Sequence, residues 1–336
     1  MRRSNRKIAY LTSLLVGVIA LCVAGQTVAQ SSDGPLDMKR RQQGILTGMP
    51  FMANIAPRTF VDDAGRKLYL AKAPSRIVSL APSITEMLFS LGLDEQIVGV
   101  TEFCDYPEAA KTKAKVGYSN PSVEALVALR PDLVLAPREF LRPDLRAKLE
   151  QLKIPIYVLE AKTLDHIPLQ IQTLGKMLER PSVANDVAQS IRQRMADVQS
   201  KAKTLPPKRV LYVLNNQPLI TVGPGSFIHQ MIIVAGGINV AAQAGAPYPR
   251  LSMETVLKED PEVIVFPVGE VEAVPRSEQQ QWRRWESISA VKQQRFHEVS
   301  SNLLNRPGPR IIEGLEQLAK AIHPEAFSSV TTGPRP

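Results

Sequence analysis

Glu124 and Glu254 occupy equivalent places in one pattern written twice: PSVEALVALRPDLVLA at residues 121–136, and LSMETVLKEDPEVIVF at residues 251–266. The two align without a gap and share Ser122/Ser252, Glu124/Glu254, Pro131/Pro261 and Asp132/Glu262. Ser122 and Ser252 are placed to cap short helices, and Pro131 and Pro261 to end them before a buried strand. A carboxylate in the first helical turn complements the macrodipole, which accounts for a glutamate being tolerated there. It does not explain why both halves put one on the exposed face at the same point.

Other reactive residue types do not assemble into a catalytic pattern. His166, His229, His297 and His323 are scattered, with no pair at metal-ligand spacing on one helix. There is no Cys-x-x-Cys and no G-x-S-x-G elbow. VGPGSF before a helix lacks the Gly-Lys-Ser/Thr of a phosphate loop and reads as a turn and cap. Cys104, in TEFCDYP, has no evident base beside it and reads as a shielded thiol. These residues argue against an enzyme and against a resident metal or cofactor.

With 336 residues, 44% hydrophobic and 22% charged, the chain has room for two cored units of soluble type. Its net charge of +9 is concentrated at the start. Arg2, Arg3, Arg6 and Lys7 stand without an acid in residues 1–29, and only +3 remains on residues 59–336. That distribution excludes the basic folded surface of a nucleic-acid binder. MRRSNRK, IAYLTSLLVGVIALCVAG and QTVAQ form the basic, apolar and small-residue parts of an export signal, cut after Ala29. A retained membrane anchor and a lipid-anchored Cys22 are the alternatives, although bulky Leu21 disfavours the second. Removal of the leader would leave Cys104 as the sole thiol.

Residues 30–57 are polar and aperiodic and read as a flexible tether. TFVDDAGRKLYL reads as a hairpin. Apolar runs RIVSL, IVGV, LVLA and IPIYVL then alternate with helical patterns. In SITEMLFSLG, Ser83 reads as the cap, Glu86 as its capping-box partner and Gly92 as the stop. The second half repeats the plan with RVLYVLN, LITVG, VIVF and FHEVS, and with helices after Ser226, Ser252 and Pro309. Strands alternating with helices predict parallel sheets covered on both faces. Between the halves, PSVANDVAQSIRQRMADVQSKAKT carries a helical stripe of Val183, Val187, Ile191, Met195 and Val198. It predicts a stiff helix of about 33 Å.

RIVSLAPSITEMLFSLG, VGVTEFCDYP, NPSVEALVALRPDLVLA and NLLNRPGPRIIEGLEQLAKAIHP together resemble periplasmic substrate-binding proteins of the cobalamin and ferric-siderophore ABC importers. They are most similar to the cobalamin-binding members, over about residues 58–324. The resemblance implies the class III periplasmic binding protein fold: α/β, two Rossmann-like lobes joined by a single long rigid helix. The organisation expected is a signal peptide at 1–29, a tether at 30–57, lobes at 58–168 and 207–324, an inter-lobe helical segment at 169–206 and a tail at 325–336. It further implies a monomer that holds cobalamin as transported ligand, without chemical change, and docks on a permease dimer at the inner membrane. Glu124 and Glu254 align with the glutamates that engage arginines of the two permease subunits. Phe103, Tyr118 and Tyr248 align with corrin-contacting aromatics, and Asn302 and Arg306 with polar contacts. Tyr118, Pro137 and Tyr248 replace tryptophans of relatives, and Asn302 replaces an acid. Arg310 reads as structural.

A ferric-siderophore carrier is the alternative, with Arg138, Arg142, Arg250 and Arg306 available to an anionic complex. A haem carrier would use Tyr118 or Tyr248 as axial ligand. An exported enzyme or corrinoid sensor would need a reactive cleft group that these motifs do not supply. The leader carries its own test. Intact-mass measurement of the protein from its host is expected to show a soluble chain beginning near Gln30. A membrane-bound chain retaining residues 1–29, or one lipidated at Cys22, refutes it.

Overall fold

The computed structural model describes residues 58–117, 120–269 and 273–327. The leader, the tether and the end of the tail lie outside them, as does Tyr118. All described residues fall within one compact unit, Ile55–Pro336.

The chain opens with the expected hairpin, β1 (Arg58–Val61) antiparallel to β2 (Lys67–Leu70). Then follow β3 (Ile77–Ser79), α1 (Pro82–Ser90), β4 (Ile97–Val100), α2 (Val123–Ala128), β5 (Leu133–Pro137), α3 (Pro143–Gln151) and β6 (Ile156–Leu159). The four strands form a parallel sheet in the order β4-β3-β5-β6. Two helices follow, α4 (His166–Met177) and α5 (Pro181–Ala202). The second half runs β7 (Lys208–Tyr212), β8 (Asn215–Asn216), β9 (Leu219–Ile220), α6 (Phe227–Val234), β10 (Gly237–Asn239), α7 (Met253–Glu259), β11 (Val263–Val268), β12 (Phe296–Ser300) and α8 (Ile311–Ile322). Its parallel sheet is ordered β10-β7-β11-β12. By rank within each half, both orders are second-first-third-fourth, so the sequence repeat extends to topology.

Both faces of each sheet are buried, which is why the strands read as unbroken apolar runs rather than alternating ones. Ile77, Leu133 and Leu135 join one core with Val210, Tyr212, Val263 and Val265 of the second sheet. Their strand neighbours turn to the opposite faces, Val78, Val134 and Ala136 in one half and Leu211, Ile264 and Phe266 in the other. The period-2 geometry of a strand divides one apolar run between two cores.

The repeated segments fold alike. Ser122 and Ser252 are caps, each Oγ accepting from a backbone amide three residues on, Ala125 and Thr255, at 3.1 Å. Arg130 and Asp260 take the same left-handed turn, with φ of 46° and 43°, before the proline. Asp132 accepts from the amides of Ser75 and Arg76 at the entry to β3, and Glu262 accepts from the Arg209 amide at the entry to β7. Arg76 Nε donates to the Leu129 and Arg130 carbonyls, and Arg209 Nε to that of Asp260. Serine, proline and strand-entry acid are thus accounted for by the local fold.

Three local expectations change. Ala81, not Ser83, is the N-cap of α1 and makes no side-chain cap bond. Glu86 forms no capping box, because it is buried and taken by Arg310 from the other half. LITVG does not join the main sheet: β9 pairs with β8 in a separate hairpin. The sheet instead takes β10, three residues led by a glycine and too brief to show a strand pattern. Gly92 does end its helix, at φ +68°.

The helix expected from the 181–204 stripe is α5, 22 residues long. Ala184, Ala188, Ile191 and Val198 are buried on it, whereas Val183 is exposed. It packs on α4 through Gly175, where an added Cβ would lie 2.1 Å from the Ala184 Cβ. It is tied to α8 by Arg194, which donates to Glu316 through two nitrogens at 2.9 and 2.7 Å. Gly175→Ala is expected to push these helices apart at a cost of about 1–3 kcal/mol. At about 2–4 °C of Tm per kcal/mol for a body of this size, a calorimetric melt reads the loss directly. An unchanged Tm would mean that the α4–α5 contact yields without cost.

Candidate functional site

In a parallel α/β sheet the carboxyl ends of the strands leave a crevice where helix and loop directions diverge. Here the carboxyl ends of both sheets border one cavity of about 560 Å³. From the first half it takes Ala81 to Ile84 after β3, Phe103 after β4, Pro137 and Phe140 after β5, and Leu159 to Lys162 after β6. From the second half it takes Leu214 after β7, Gly225 to Ile228 at the start of α6, Pro247 and Tyr248, and Ser301 to Pro307 after β12.

A buried polar knot positions the Phe103 loop. Thr85 Oγ1 lies within hydrogen-bond distance of Ser79 Oγ at 2.8 Å and of Cys104 Sγ at 3.2 Å, and Thr101 Oγ1 lies 3.1 Å from the same sulfur. Burial pushes the Cys104 thiol up, against the opposing pull of these hydroxyls. Cys104 is the shielded thiol its context implied, and it anchors its neighbours: Phe103 on the cavity wall and Asp105 facing the other half.

The far wall is set by β12 and the residues after it. The Tyr212 hydroxyl donates to Asn305 Oδ1 at 2.7 Å. Arg306 donates to Asp105 from both guanidinium nitrogens, and Asn302 Nδ2 lies 3.4 Å from Asp105 Oδ2. Arg310 donates to both oxygens of buried Glu86, at 2.9 and 2.6 Å, and its guanidinium stacks 3.7 Å from the Tyr106 ring centroid. Arg306 Nη1 is also 3.7 Å from Glu86 Oε1. Gly308 brings its backbone against Ser83, where an added Cβ would stand 3.2 Å from the Ser83 Cα. Burial raises the Glu86 carboxyl above its ordinary range, with Arg310 opposing. Burial is the largest single influence on Asp105 and works to raise it, but the hydrogen bond and charge of Arg306, a backbone hydrogen bond and the Arg310 charge together hold that carboxyl below its ordinary range.

Four of the five expected ligand residues line this single cavity: Phe103, Tyr248, Asn302 and Arg306. The fifth, Tyr118, lies outside the described residues. Tyr248 is 53% exposed. Glu124 and Glu254 are not in the cavity. Both are exposed, on the first turns of α2 and α7. Glu124 accepts from Ser122 Oγ at 3.0 Å, while the Glu254 carboxylate has no partner among the described residues. Arg310 is structural, as expected. Of the other arginines weighed for an anionic ligand, Arg138 pairs with Glu160 and Arg142 with Asp144, while Arg250 lines a different groove.

Sequence reasoning missed Asp105, Phe140, Phe227, Asn305 and the Glu160–Lys162 pair. Asp105 stood inside the CDYP motif, but nothing local shows that its partner is 201 residues away. Phe140 follows a strand, where cleft residues of α/β folds gather, and that position was the available signal. The charged lining is Glu139, Glu160, Lys162 and Arg306, two acids and two bases. Lys162 is 3.4 Å from Glu160. The histidines take no part in this wall, and among the described residues no three His, Cys, Asp or Glu side chains cluster to hold a metal. Phe103, Phe140, Phe227 and Tyr248 supply flat apolar faces, and Gln170, Asn302 and Asn305 supply amides. This arrangement can hold a broad, uncharged molecule by stacking and by hydrogen bonds to its rim.

Known proteins agree with this architecture. The family model described as periplasmic binding protein matches residues 77–303. The vitamin B12-binding protein of Vibrio cholerae is 33% identical over 245 residues, covering 72% of this chain and 87% of that protein. An uncharacterized ABC transporter substrate-binding lipoprotein of Bacillus subtilis is 31% identical over 325 residues, covering 94% of this chain and 96% of that one. Among solved structures, the periplasmic vitamin B12 binding protein of Vibrio cholerae superposes with a TM-score of 0.66 at 32% identity, over 76% of this chain and 98% of that one. The periplasmic heme-binding protein of Roseiflexus gives 0.67 at 27% identity, over 75% and 99%. With paired parallel sheets, a shared cavity at their carboxyl ends and a family match across most of its length, the chain belongs to the periplasmic binding proteins.

Proposed function

We propose that the protein is the substrate-binding component of an ABC importer, capturing cobalamin or a related corrinoid between two lobes without changing it chemically. The observation that carries this reading is the cavity wall: four aromatic rings from both halves, three amides, and a charged lining of two acids and two bases. A corrinoid offers broad apolar faces and a rim of amides, which such a wall complements. The vitamin B12-binding relatives support the same ligand. The lobes are residues 58–168 and 207–324, and α5 acts as the strut that keeps their relative movement small. The protein works as a monomer in the periplasm, exported by its leader.

A haem-binding structural neighbour and the exposed Tyr248 phenol keep haem as the second reading. A ferric siderophore of high negative charge is less well served, because the arginines nearest the cavity are already paired with carboxylates. Calorimetric titration with cyanocobalamin, a ferric siderophore and haemin separates the three. Micromolar or tighter cobalamin binding is expected. Truncating one stacking ring should cost about 1–3 kcal/mol, so Tyr248→Ala is expected to weaken binding roughly 5- to 150-fold. Silence toward cobalamin with tight binding of either other ligand overturns the corrinoid reading.

The repeated glutamates have a separate role in this proposal. The local fold uses the serine, the proline and the strand-entry acid of each repeat, but leaves Glu124 and Glu254 facing solvent. A pseudo-symmetric carrier meeting a symmetric permease dimer would present the same contact twice. Charge reversal at both, Glu124→Lys with Glu254→Lys, is expected to abolish uptake in a transport assay while leaving ligand affinity of the isolated protein nearly unchanged. Each single reversal should impair uptake less. Normal uptake by the double variant would reduce both residues to helix-dipole partners.

A further inference from the structure

We propose that Asp105 sets the ligand class of the cleft, by neutralising Arg306 across the two halves so that the site favours a neutral molecule over an anionic one. The inference deepens the corrinoid reading and rests on it for the neutral ligand, but not for the exclusion of anions.

Asp105 follows β4 in the first half, and Arg306 follows β12 in the second. Both guanidinium nitrogens of Arg306 reach the Asp105 carboxylate, and Asn302 turns its amide nitrogen to the same group. Two cavity-lining side chains are therefore held by one residue behind them. The Arg306 side chain is only 11% exposed, so its charge is weakly screened and its balance matters to whatever enters. Glu86 cannot supply that balance. It is 3.7 Å from Arg306 and already takes both hydrogen bonds from Arg310. The four groups therefore pair off two by two, Glu86 with Arg310 and Asp105 with Arg306. The other base on the wall, Lys162, lies 3.4 Å from Glu160, a carboxylate it shares with Arg138. Neutralising Asp105 would leave the Arg306 guanidinium, a lining group of the cavity, without its paired carboxylate. Asp105→Asn keeps the shape and an acceptor oxygen for Arg306 while removing the charge, and so isolates this effect.

The test is the ratio of two affinities, measured by calorimetry on the full mature chain. One ligand is cyanocobalamin, which is neutral; the other is ferric enterobactin, an anionic tris-catecholate. In Asp105→Asn the anion-to-neutral ratio is expected to rise at least about tenfold, and the gain should shrink at high salt, as an exposed charge requires. Arg306→Gln should move the ratio the other way, because it leaves Asp105 uncompensated. Combining the two substitutions should cancel the gain. Circular dichroism melts of all three variants confirm folding, and Arg306→Gln carries the test alone if Asp105→Asn does not fold. A ratio that stays within about twofold of the wild type in Asp105→Asn, or that moves in the same direction in both single variants, overturns the proposal. Tight anion binding by the wild-type protein overturns it as well. Failure of the wild type to bind cyanocobalamin refutes the corrinoid reading instead; ferric enterobactin affinity then decides the role of Asp105, by its gain in Asp105→Asn and loss in Arg306→Gln.

Discussion

The two halves of this protein meet around one buried ion pair. Arg310 grips both oxygens of Glu86, a carboxylate with a side chain only 3% exposed, and stacks on Tyr106. An isolated charge so far from water would be costly, and removing one member of a buried pair typically destabilises by about 3–5 kcal/mol. Glu86 therefore requires Arg310 in place, and with it the start of α8. That requirement ties α1 of the first half to the start of α8 in the second. It also brings the 305–310 loop within reach of Asp105 and lays Gly308 on Ser83.

From this contact the cavity follows. Parallel strands send their chain out at the carboxyl end, so each sheet gathers its variable loops on one side. Because the halves share a strand order and a core, both sets of loops face one volume instead of two. The polar knot around Cys104 then fixes the loop carrying Phe103 and Asp105, and the Tyr212–Asn305 bond fixes the opposite wall. The cavity side chains are held by partners behind them before any ligand arrives, which lowers the ordering cost of binding.

The repetition in this chain divides into what the local fold uses and what it does not. Part of it is local: serine caps, left-handed turns before proline, and an acid paired with the strand-entry backbone recur because each half solves the same helix-to-strand connection. Glu124 and Glu254 are not needed for that connection. The local fold accounts for one part of each repeat and leaves the two glutamates on the exposed face.

Much of the architecture was legible in the residues alone, because it depends on short-range pattern. Apolar runs marked seven of the eight main-sheet strands, the DDAG hairpin read correctly, and the stripe at 181–204 marked α5. Where the pattern was too brief, it failed. β10 has three residues, and its place in the sheet comes from pairing with β7 rather than from its own propensity. Glu86 shows the deeper limit. Its spacing from Ser83 satisfied a local capping rule, but burial against an arginine 224 residues away decided its role. Family resemblance marked Phe103, Tyr248, Asn302 and Arg306, and the tertiary structure put them around one cavity. Only the fold could show that Arg306 is already neutralised by Asp105, because charge balance in a cavity depends on proximity in space, which sequence separation does not encode.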